Sequence, residues 1–137
     1  MMTNMLPAQI DDALARCERR LAGQSLLDEK CVAVMRRLKL AERLYPAFIA
    51  ELPEKLAALR SAMEIGDRPA IRLLAHRLRG GAAQLGAAAF ARMLREIEEA
   101  AIRDEGAKAH MPWDPGLEDL ARATVIALQR ELASSPR

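Results

Sequence analysis

Apolar residues recur at three- and four-residue spacing along this chain, and prolines, glycines and short polar residues punctuate the runs. That pattern commits the chain to helices. No run alternates apolar and polar residues over five positions, so no segment reads as a strand. Ala, Leu, Arg and Glu are abundant and aromatics make up only 3% of 137 residues. These strong helix formers, with few β-branched residues, point to an all-α protein.

The punctuation divides the chain into segments. Pro7 opens a first helix to about Leu21, with Ile10, Leu14, Cys17 and Leu21 on one face and Gly23 as its stop. Ser25 and Asp28 resemble a capping pair for a second helix to about Leu40. A third runs from about Glu42 to Ile65. Pro46 and Pro53 predict an interruption or kink at one or both positions. Gly66 ends it, Asp67 caps the next, and Pro69 sits in a first turn where proline is tolerated. The fourth helix spans about Arg68–Leu85 with Gly86 as its stop, and a fifth spans about Ala87–Arg103, ending near Gly106. Lys108–Trp113 is a loop, and Asp114-Pro115 opens the last helix. Amphipathic helices with short connections pack as an antiparallel four-helix bundle, here with one or two extra N-terminal helices. The expected organisation is an extension over 1–24, the bundle over 25–133 and a tail over 134–137.

Charge and cysteine content narrow the function classes. The 21 basic and 19 acidic residues give a net charge of +2, and the basic residues are scattered over all helices. Nucleic-acid binding needs a basic stripe, so it is not expected. Cys17 and Cys31 form no CxxC pair and read as reduced structural thiols in the cytoplasm. No apolar run approaches the roughly 20 residues of a membrane span, and the N-terminus has no secretory pattern.

The fourth helix is the informative one. At about 100° per residue, Ile71, Leu74, Ala75, Leu78, Ala82 and Leu85 form the core stripe. His76 lies opposite that stripe, on the surface. Gly80 and Ala83 share its face at i+4 and i+7, and Arg72 does so at i−4. Leu73 and Arg79 flank it. Two adjacent glycines, Gly80-Gly81, cost about 1 kcal/mol each against alanine inside a helix. They either admit a close helix neighbour or leave the imidazole open to another protein.

The stretch Ala75-His76-Arg77-Leu78-Arg79-Gly80-Gly81-Ala82-Ala83-Gln84-Leu85-Gly86 resembles the signature of histidine-containing phosphotransfer (HPt) domains, HxLKGxxxxxG. Phe48–Pro53, the Gly66-Asp67 turn and Leu94–Glu98 resemble the family's flanking segments, so the similarity covers about residues 27–132. Arg79 replaces the usual Lys and keeps its charge, and Gly81 replaces the usual Ser or Ala. Glu98 stands, by spacing, where relatives carry a Gln or Glu that can hydrogen-bond the histidine.

The resemblance implies a phosphocarrier without an ATP site of its own. His76 would accept a phosphoryl group from the aspartate of a response-regulator receiver domain or a hybrid histidine kinase and pass it to a second receiver. Histidine suits this because its ordinary pKa of about 6.5 leaves a ring nitrogen neutral near pH 7. Arg79 and Arg72 would steady the phosphoryl oxygens, Gly80 and Ala83 would leave room for the partner, and Leu73 would join an apolar docking rim. The resemblance implies no cofactor on this chain, with Mg²⁺ carried by the receiver. A homodimer through the first helix is a further possibility that the sequence raises.

Other readings fit less well. A histidine-kinase dimerisation helix usually has an acidic residue after its histidine, where this chain has Arg77. A metal-binding bundle uses Glu-x-x-His pairs, but Leu73 precedes His76 and His110 sits in the expected loop. The main rival is an HPt-like adaptor that binds a receiver or kinase without being phosphorylated.

Overall fold

The computed structural model describes residues 25–103 and 111–134, which form five helices and no strand. The expected first helix with Cys17, the turn at Gly106, loop residue His110 and residues 135–137 lie outside the described residues. The helices are α1 (Glu29–Arg37), α2 (Ala41–Ile65), α3 (Arg68–Gln84), α4 (Ala88–Arg103) and α5 (Pro115–Ser134). The last helix therefore takes in Ser134, which was expected in the tail.

Two expectations need correction. Ser25 does not pair with Asp28 as a cap. Asp28 is itself the N-cap of α1, accepting from the backbone N–H groups of Lys30 at 2.9 Å and Cys31 at 3.2 Å. Nor does this helix reach Leu40. It ends at Arg37, because Lys39 takes a left-handed conformation (φ 58°). The Lys39 N–H then donates to Arg36 and the Leu40 N–H to Met35, closing a Schellman turn without glycine.

Helix α2 runs unbroken through Pro46 and Pro53. Each proline removes one intrahelical bond, and both rings face outward. Burial of Tyr45, Leu52, Leu56, Leu59, Ala62 and Met63 on the opposite side holds the helix together across them. Gly66 (φ 82°) ends α2, and the Asp67 carboxylate caps α3 by accepting from Ala70 at 3.1 Å. Gly86 (φ 83°) ends α3 with a second Schellman turn, its own N–H bonded to Ala83 and that of Ala87 to Ala82.

Helices α2 to α5 close into a four-helix bundle: α2 packs on α3 and α5, and α4 on α3 and α5. The two- and three-residue turns at 66–67 and 85–87 make their flanking helices antiparallel neighbours. The core is built from Leu52, Leu59, Ile71, Phe90, Leu94 and Leu117, all fully buried. The most extensive helix–helix contact joins α3 and α4, whose inner faces carry Ala75, Ala82, Ala89 and Ala91. Of the expected α3 stripe, only Leu74 is partly exposed; the rest is buried. Helix α1 lies on α2, and its Arg36 pairs with Glu131 and donates to Ser134 on α5. Cys31 is a free, half-buried thiol whose S–H points to the Gln84 carbonyl. No described helix is long and apolar enough to cross a membrane.

Candidate functional site

The core stripe of α3 turns the opposite face outward, and His76 sits on it with 60% of its side chain exposed. The floor beside it is bare. A Cβ placed on Gly80 would meet nothing within 4 Å, and one on Gly81 would only graze the Phe48 ring at 4.0 Å. Ala83 is exposed one turn further on. Tight helix packing therefore does not account for Gly80, which faces open space.

Glu98 on α4 organises the imidazole. Its side chain is only 13% exposed, and its two carboxylate oxygens serve two partners. Oε2 lies 2.9 Å from His76 Nδ1, and Oε1 accepts from Arg79 Nε at 2.9 Å. Burial alone would raise the Glu98 carboxyl. The hydrogen bonds from His76 and Arg79, with the positive charge beside it, outweigh burial and hold it below its ordinary 4.5. Glu98 is therefore a carboxylate near neutral pH and can only accept, so Nδ1 carries the ring proton. An Arg79 terminal nitrogen also lies 3.1 Å from Nδ1. Once Nδ1 is protonated that approach is an electrostatic contact, since neither atom can accept from the other. The lone pair is left on Nε2, which makes no hydrogen bond among the described residues.

A cleft of about 440 Å³ opens beside the ring between α3 and α4. Arg72 and Leu73 line it with His76 and Glu98, and its apolar wall adds Pro69, Ala101 and Ile102. Leu73 and Ile102 are 47% and 43% exposed. The structure thus brings together His76, Arg79 and Glu98 in direct contact and places Arg72 and Leu73 along the same opening. Gly80 and Ala83 stand clear of it on the same helix face. Sequence reasoning did not include Ala101 and Ile102. Their signal is their position three and four residues after Glu98, on the same face of α4.

Among the described residues no cluster of histidine, cysteine and carboxylate side chains could hold a metal ion. Neither curated proteins nor solved structures gave a match to this chain. The sequence model of the Hpt domain family matches residues 43–134, a span that contains α3, α4, His76 and Glu98. A signature histidine exposed on α3 of a four-helix bundle, together with that match over most of the chain, places this protein in the Hpt domain family.

Proposed function

We propose that this protein is a phosphocarrier, relaying a phosphoryl group between receiver-domain aspartates through Nε2 of His76. The observation that carries this reading is the exposed imidazole held by Nδ1 to Glu98, which leaves Nε2 as the unprotonated nitrogen. In the forward step the Nε2 lone pair attacks the phosphorus of an aspartyl phosphate. The N–P bond forms, the acyl O–P bond breaks, and the aspartate leaves as a carboxylate. The Nδ1 proton stays in place, so the phosphorylated ring becomes cationic. Glu98, already ionised beside Nδ1, compensates that charge.

The chain supplies nucleophile, tautomer and access; the receiver supplies Mg²⁺ and the aspartate. The relay has no ATP site of its own and works with cytoplasmic receivers or a hybrid kinase. Gly80 and Ala83 give the receiver loops room, and Leu73 with Ile102 offers an apolar rim.

The test is transfer of radiolabel from a phosphorylated receiver with Mg²⁺. Wild type takes up label and His76→Gln does not. Receiver binding by wild type with no label transferred would replace the relay with the adaptor reading.

A further inference from the structure

On the relay reading, we infer that Arg72 is the cation that meets the phosphoryl group, and that Arg79 is a positioning residue acting through Glu98. The signature assigns the charged residue at i+3 to the phosphoryl oxygens, but the geometry here gives it other work. Arg79 Nε is bonded to Glu98 Oε1 at 2.9 Å, and its terminal nitrogen stands 3.1 Å from Nδ1, the nitrogen that does not attack. Withdrawing it would take the guanidinium from a nearly buried carboxylate and leave the imidazole as its one remaining partner, which is costly.

Arg72 is placed differently. It lies one turn before His76 on the same face, lines the cleft that opens at the ring, and has no hydrogen bond or ion pair among the described residues. Arg77 is similarly unengaged among them, but at i+1 it points about 100° away round the helix. Arg68 also lines the cleft, but it lies two turns back and is buried. Arg95 is ion-paired with Glu99. That leaves Arg72 as the guanidinium able to follow the phosphorus as the Nε2–P bond forms. It needs to break no hydrogen bond or ion pair among the described residues to do so.

Two readouts separate the roles. Ring nitrogen-15 NMR of His76 reports the tautomer. Phosphorylation by phosphoramidate, a small donor that needs no docking, reports the chemical step alongside transfer from a phosphorylated receiver. Arg72→Gln is expected to slow both reactions by about tenfold or more while keeping the Nδ1–H tautomer. Arg72→Lys should recover part of the rate. Arg79→Gln should shift the ring away from that tautomer, and Arg79→Lys, which can still pair with Glu98, should restore it. The assignment is overturned if Arg72→Gln reacts with phosphoramidate at the wild-type rate, including when only its receiver reaction suffers. It is also overturned if Arg79→Gln slows both reactions with the tautomer unchanged. If wild type accepts phosphoryl from neither donor, the relay reading itself fails and takes this assignment with it.

Discussion

Gly80 is a residue for which stability and access conflict. It lies inside α3 with open space where a side chain would go. Alanine there should stabilise the fold by about 0.5–1 kcal/mol, because it lowers unfolded-chain entropy without a clash. A bulkier Gly80→Leu should keep the fold and slow transfer from a receiver. Urea denaturation and label transfer on the same two variants check both halves.

Glu98 links the site to acid stability. Its folded-state carboxyl sits below 4.5, so its contribution to stability is present above that pH. The contribution is lost as pH falls from about 4.5 through the folded value. Glu98→Gln should remove this part of the pH dependence. Denaturation curves from pH 7 down to pH 3 should be flatter for the variant, and equal slopes would refute the linkage.

At the scale of elements, the helix ends show what sequence can and cannot disclose. The stops at Gly66 and Gly86 and the caps at Asp67 and Asp28 follow from residue type, and the first three were legible. Asp28 was read as one half of a pair because serine and acid at that spacing imitate a capping box. The stop at Lys39 was not legible, since a Schellman turn there uses a residue with no special liking for positive φ. Lys39→Gly should therefore stabilise the protein by about 1 kcal/mol. Gly86→Ala should do the reverse, by about 1–3 kcal/mol. It adds strain at φ 83° and brings a Cβ to 3.0 Å from that of Cys31 and 3.3 Å from the Asp28 carbonyl. Thermal melts of the two variants should move in opposite directions. The prolines of α2 suggested an interruption that the helix does not show. Their local cost was visible in sequence, but the burial of Leu52, Leu56 and Leu59 that outweighs it belongs to the assembled bundle.

For the whole molecule, the all-helical bundle and the exposure of His76 were readable because both depend on periodicity within one segment. The role of Glu98 depended on how α3 and α4 pack, which no single helix encodes. Removing a core side chain should leave the chemistry alone. Phe90→Ala should cost about 3–5 kcal/mol, since the ring is fully buried where α4 meets the core. Label transfer per folded molecule should stay at the wild-type level, measured well below the variant's melting temperature.

His76, Arg79 and Glu98 all lie on the single hairpin made by α3 and α4, joined by the tight turn at Gly86. None of the three reacting or supporting groups comes from α1, α2 or α5. The outer surfaces of those helices are thus released from the chemistry. On the relay reading, they can diverge to suit different neighbours in a signalling circuit, while the open side of the hairpin must stay legible to every donor and acceptor.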